Sequence, residues 1–325
     1  MTVKCIRFSL VMAAICSALS AYAGTFNVTS PTNGKWLGST NTMNFTGTGA
    51  TVQVTVQAVI TSPGGSTTVT TSVNPDFNGN FTGTLPLNFS QSVAQGDYTI
   101  VVTATEPGNT YSPVNLNVKV DTKTPKLLEY SPAQNSFSKG TIPLLFKILE
   151  ANMKEWRVQV ASSDIPNNTG TTETTLSVSY DSSTLENDGP QNVSLTAKDQ
   201  ADNTLTFSIP LTIDRKKPNS VIQFPQTGSP IRPRSDINVI IDIADQFAGS
   251  VDLTGVDVVI QKTDGAFISR ASRVSWKDIG NNTWRWTGRI RYRSGFPSTY
   301  KVVVSALDKA GNVAVRQEVT IHPGA

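Results

Sequence analysis

Catalysis near neutral pH needs groups that titrate or attack there, and this chain has few of them. His322 is the only histidine in 325 residues. It lies in the last stretch of sequence, where a Ser-His-Asp relay would have nothing to hold its geometry. The two cysteines, Cys5 and Cys16, both fall within residues 1–23. The remainder therefore has no thiol, no disulfide and no zinc site of the usual kind. Gly47-Thr48-Gly49 is followed by no helix pattern and reads as a turn, not a phosphate loop. What is left is carboxylate and guanidinium chemistry. Asp214, Asp242, Asp245 and Asp308 form one candidate set of acids. Asp121, Glu150 and Asp199 form a weaker one, with Asp202 as an outlying member. Paired carboxylates can cleave glycosides, but these acids map to loops at domain junctions, and no enzyme is expected.

The elements that position these groups follow from internal repetition, the first thing to seek in such a chain. Three segments share one pattern: YTIVVTATEPGN from Tyr98, QNVSLTAKDQADN from Gln191 and YKVVVSALDKAGN from Tyr300. Two are followed by a second pattern, VDTKTP from Val120 and IDRKKP from Ile213. Asp121 to Asp214 spans 93 residues, as does Ala104 to Ala197. SPTNGKW, SPAQNSF and FPQTGSP, from Ser30, Ser131 and Phe224, open the units. Within each unit the period is two. Val52, Val54, Val56, Ala58 and Ile60 alternate with polar residues, as in a half-buried strand. Turn signals such as Pro63-Gly64-Gly65 and Asp188-Gly189-Pro190 separate the runs. About seven short strands per hundred residues describe a sandwich. The expected fold is all-β: three tandem immunoglobulin-like β-sandwich domains, at 24–121, 122–214 and 215–325, after a cleaved signal peptide at 1–23. Trp156 shares its phase with Val158 and Val160 and is expected in a core, on a third strand.

The alternating strand, the D-x-A-G-N turn (cleanest at Asp308 to Asn312) and the V/I-D-x-x-x-P linker resemble the tandem bacterial immunoglobulin-like repeats of secreted and surface adhesins. The first unit departs from the pattern with Glu106-Pro107-Gly108-Asn109. In such a sandwich the linker meets the second-to-third and sixth-to-seventh strand loops at the end where the chain enters. That would bring each set of acids together at a junction, where they repel one another unless a cation intervenes. Calcium takes six to eight oxygen ligands in loose geometry, and Asn203 and Asn312 could add carbonyls. Some repeats of the resembled kind bind calcium at their junctions. The competing reading is that each aspartate caps its own turn.

Residues 1–23 read as an export signal: Lys4 and Arg7, an apolar run from Phe8 to Leu19 too short to span a bilayer, and Ala21-Tyr22-Ala23 as the cleavage site. A periplasmic, cell-surface or extracellular location is expected, with no membrane span after cleavage. Charge is uneven. Residues 24–121 balance at −2, 122–214 at −4 and 215–325 at +7. TWRWTGRIRYRSG, from Thr283, would as a strand put Trp284, Trp286, Ile290 and Tyr292 on one face and Arg285, Arg289, Arg291 and Arg293 on the other. That arginine face either blunts a sheet edge or docks a polyanion, such as an acidic polysaccharide. Two functions are expected on these grounds: a structural or adhesive rod bound to an envelope polysaccharide or protein partner, or a soluble polyanion-binding module.

Overall fold

The computed structural model describes residues 24–294 and 296–323. The signal segment and both cysteines lie outside the described residues. Strands dominate, and among the described residues no helix is long and apolar enough to cross a membrane.

The first sandwich comprises β1 (Phe26–Ser30), β2 (Trp36–Leu37), β3 (Thr40–Gly47), β4 (Val54–Ser62), β5 (Gly65–Val73), β6 (Phe81–Asn88), β7 (Gly96–Glu106), β8 (Asn109–Thr110) and β9 (Val114–Val120). One sheet runs β1-β3-β6 and the other β2-β9-β7-β4-β5. Alternation decides which side chains enter the core. Val54, Val56, Ala58 and Ile60 point inward, and Thr55, Gln57, Val59 and Thr61 point away. Val52 does not share this pattern and is exposed. Its N–H and that of Thr51 donate to the buried Glu106 carboxylate (3.1 and 2.9 Å), so the chain bends there and the strand starts at Val54.

The second sandwich comprises β10 (Lys126–Ser131), β11 (Ser136–Ser138), β12 (Thr141–Leu149), β13 (Met153–Val160), β14 (Ser163–Gly170), β15 (Thr175–Asp181), β16 (Gly189–Asp199) and β17 (Thr204–Ile213). Its sheets run β10-β12-β15 and β11-β17-β16-β13-β14. With β10 and β11 counted as one interrupted strand, Trp156 sits on the third, buried, its indole N–H donating to Glu173 (3.2 Å). The third sandwich comprises β18 (Asn219–Phe224), β19 (Ile237–Ala244), β20 (Asp257–Gln261), β21 (Phe267–Arg270), β22 (Ser272–Gly280), β23 (Thr283–Ile290), β24 (Tyr300–Ser305) and β25 (Gln317–Ile321). Its sheets run β18-β19-β23-β22 and β21-β20-β24-β25. Each sandwich encloses its own apolar core. The strand orders are those of immunoglobulin-like folds. By compactness the chain divides in two: residues to Lys123 form one unit, and the second and third sandwiches together form the other.

No disulfide is available to pin the sheets, so packing must do it. In the first sandwich, glycines make room for rings. Phe45 lies opposite Gly83 and Gly47 opposite Phe81 across β3 and β6. A Cβ at either glycine would overlap the facing ring. Phe26 stacks on Phe81 (6.3 Å between centroids), and Tyr111 meets that ring edge-on (5.5 Å). Gly47→Ala should therefore destabilise the first sandwich by about 1–3 kcal/mol through overpacking. Urea denaturation checks this; an unchanged midpoint would show that the ring can swing aside.

Candidate functional site

The joint between the second and third sandwiches is built from the linker and two loops of the third. Ile213 ends β17 in the core, and the chain then turns through Asp214 and Arg215 to Pro218. Asp214 is held on three sides. Its N–H donates to Ser138 O (2.9 Å), its Oδ1 accepts from Gln246 Nε2 (2.7 Å), and its carbonyl accepts from Asn312 Nδ2 (2.8 Å). Arg215 pairs with Asp188 (2.5 Å) and donates to the carbonyls of Ser182 and Leu185. Gln246 also reaches Asp188 (2.8 Å), so one amide ties the linker to both sandwiches. Lys139 Nζ donates to Gly311 O (2.5 Å), and the Lys309 ammonium lies 5.9 Å from the Phe137 ring centroid.

Three acids meet in this joint. Asp214 comes from the linker, Asp245 from the loop after β19 and Asp308 from the loop after β24, and one oxygen of each lies within 4.8 Å of the others. Asp308 caps its own turn, accepting from Asn312 N–H and Nδ2 (both 2.7 Å). Asp245 Oδ1 accepts from Gln246 N–H (2.7 Å). Asp214 is wholly buried, yet its Oδ2 has no hydrogen-bond partner, and neither has the buried Oδ2 of Asp245. Capping and clustering therefore coexist: Asp308 gives both oxygens to its own turn, while Asp214 and Asp245 each give one to the fold and keep one without a partner.

Asp242 does not join the three. Ile241 and Ile243 face the core, so the residue between them must face the opposite surface. There Asp242 lies directly across from Arg285 of β23 and takes a two-pronged pair from it (2.7 and 2.8 Å). Sequence proximity to Asp245 masked this, because the strand ends between them at Ala244. Gln246, by contrast, carries no signal in the sequence that would mark it as the residue linking Asp188 to Asp214.

The acids expected at the first junction are each tied locally. Asp121 Oδ1 accepts from Lys123 N–H (3.1 Å) and Glu150 Oε1 from Asn152 N–H (2.7 Å). Asp199 accepts from Ala201 and Asn203 N–H and from Asn203 Nδ2 (2.8–2.9 Å), and Asp202 pairs with Lys154. The arginine segment is strand only to Ile290. Arg285 and Arg289 project from β23 and pair with Asp242 and Asp236 (2.7 and 2.9 Å). Arg291 and Arg293 are exposed beyond its end, with no ion pair among the described residues. Trp286 and Ile290 are buried as expected, and Trp284 packs against the same core. His322 Nδ1 lies 3.1 Å from Thr299 Oγ1 and near no acid–base partner among the described residues.

No family model matches the sequence, and no curated protein does. Among solved structures, the chain is similar to fibronectin(III)-like modules of CbhA from Clostridium thermocellum, at 12% identity over 62% of this chain and 94% of that one (TM-score 0.37). It is similar to a tetra-tandem repeat from the extending region of a large adhesion protein, at 19% identity over 93% and 75% (TM-score 0.31). A Ca2+-stabilized adhesin that helps an Antarctic bacterium bind ice matches at 16% identity over 92% and 73% (TM-score 0.33). At these scores the likenesses carry no argument about function, which rests on the geometry.

The electrostatics of the three acids are unfavourable without a counter-charge. Burial first, then the like charges of Asp245 and Asp308, push the Asp214 carboxyl up to about 6, against the pull of Gln246. Burial also raises Asp245, and Asp308 adds to the effect. A carboxyl whose folded pKa is raised binds its proton more tightly in the native state than in the unfolded one. Its stabilising contribution is present below about pH 4 and is lost as pH rises to about 6. The loss is on the order of 3 kcal/mol for a shift of about two units. In chelator, the second unit should therefore melt lower at pH 7.5 than at pH 5, and Asp214→Asn should remove most of that difference. Equal pH dependence in the variant would show that Asp214 is not the strained group.

Proposed function

We propose that this chain is a non-catalytic, adhesive or structural protein of the cell exterior, in which the joint between the second and third sandwiches is stiffened by a divalent cation, calcium by its chemistry. The observation that carries the reading is the pair of buried carboxylate oxygens without partners, Asp214 Oδ2 and Asp245 Oδ2, within a cluster completed by Asp308. Buried polar atoms are nearly always satisfied, and an unpaired one calls for a reason. The donor set fits a hard cation: oxygens only, with no imidazole or thiolate, and with a geometry set by loops. The cation would supply the positive charge that the three acids lack, and Asp214, Asp245 and Asp308 would hold it. Because these three come from a linker and two loops, binding would couple the linker to the third sandwich. A tandem array that bears load or spaces a binding surface depends on such joints.

Calcium should raise the melting temperature of the second unit with the logarithm of its free concentration above Kd, a gain of about 2.7 kcal/mol of stability at a hundredfold excess over Kd. Asp214→Asn and Asp245→Asn should each abolish the rise, while Asp242→Asn, at a residue engaged by Arg285, should keep it. A melting curve unmoved by millimolar calcium, or moved equally in Asp214→Asn, would refute the reading.

A further inference from the structure

The first sandwich presents an edge unlike the others. β5 is the last strand of its sheet, paired only with β4. It runs nine residues in unbroken register and contains no charge and no proline. Every other outer strand of six or more residues carries at least one device known to block edge pairing. β10, β14, β18 and β22 have register shifts, β6 has Pro86, and β15 has Asp181. β22 adds Arg273, Lys277 and Asp278.

The sequence of β5 is also symmetric. Ser66-Thr67-Thr68-Val69-Thr70-Thr71-Ser72 reads the same in both directions about Val69. Two copies of a strand pair antiparallel only about a twofold axis, which sets each residue against its mirror position. Here that sets Ser66 against Ser72, Thr68 against Thr70, and Val69 against itself. The backbone phase agrees. Ser62 and Gly65 flank a two-residue turn and form the closing hydrogen-bonded pair. Thr67, Val69 and Thr71 therefore bond to β4. The N–H and C=O groups of Ser66, Thr68, Thr70 and Ser72 then face the free edge. In the twofold pairing every outward-facing residue meets another outward-facing one, which allows about eight hydrogen bonds. Thr–Thr and Thr–Ser neighbours across strands are favourable pairs. The half-buried Val69 and Val73 keep the core sides of the two sheets on one face.

From this we infer that the edge of β5 is a self-association surface whose partner is β5 of a second copy, the two sheets joining antiparallel about Val69. The inference is independent of the cation site, and its failure would leave that reading untouched.

The test uses the chain from Gly24, the form that export is expected to leave, which has no cysteine. Sedimentation should show a concentration-dependent dimer. Thr68→Lys with Thr70→Lys sets like charges across the pairing and should weaken dimerisation at least tenfold. Thr68→Lys with Thr70→Glu sets opposite charges there and should restore it. Val69→Cys should form a disulfide-linked dimer under mild oxidation, since facing residues in a non-hydrogen-bonded pair lie roughly 4.5 Å apart at Cα. Thr67→Cys should not, because its two copies would lie about 14 Å apart along the strands. A chain monomeric at every concentration, a dimer indifferent to both charge variants, or equal cross-linking by Thr67→Cys and Val69→Cys would overturn the inference.

Discussion

The burial of one carboxylate, Asp214, organises the second unit. The residue after a core strand has to leave the sandwich, and here it leaves straight into an interface. A charge placed there must be met by donors, because burying it unpaired costs far more than a surface ion pair returns. Its backbone is met by Ser138 and Asn312 and one oxygen by Gln246. The other oxygen has no hydrogen-bond partner, and the carboxylate lies in a cluster with Asp245 and Asp308. Much else in the joint reads as support for this arrangement: Arg215 held by Asp188 and two carbonyls, and Asp308 and Asn312 locked in one turn. Covalent staples are absent from residue 24 onward, so hydrogen bonds take that role where the sandwiches meet.

The sequence was most legible where geometry is periodic. Alternation of two placed Val54 to Ile60 and Trp156 to Val160 correctly, since side chains in a strand have only two directions. The repeated turn placed Asp308 beside the linker, because the position of that loop is a property of the sandwich. The errors fall where period gives way to local hydrogen bonding. Val52 looked like the first residue of a strand, but the Glu106 carboxylate pulls its amide out of the ladder. Asp242 looked like a partner of Asp245, but strand phase sends it to the other surface, to Arg285. The arginine segment read as one long face, yet the strand stops at Ile290 and its two strand arginines are engaged by aspartates. For Val52 and the arginine segment a charged partner distant in sequence decided the outcome, which no local pattern announces; for Asp242 the strand phase decided it, and Arg285 then engages it.

The division of labour among the domains follows the same physics. The first sandwich is packed by aromatic rings over glycines and carries the fewest charged residues of the three, six between 24 and 121. The second and third are fastened by polar groups, which on the proposed reading respond to protons and to a cation. Such a joint can respond to its medium, whereas an apolar core responds little.

The most direct measurement of the central claim is amide hydrogen exchange at the linker. The N–H groups of Asp214 and Arg215 donate to Ser138 O and Asp188 Oδ2. They should exchange slowly in chelator, and more slowly still in calcium, with the calcium effect lost in Asp245→Asn. If both exchange as fast as open loops, or if calcium leaves them unchanged, the linker is not the cation-stiffened element described here.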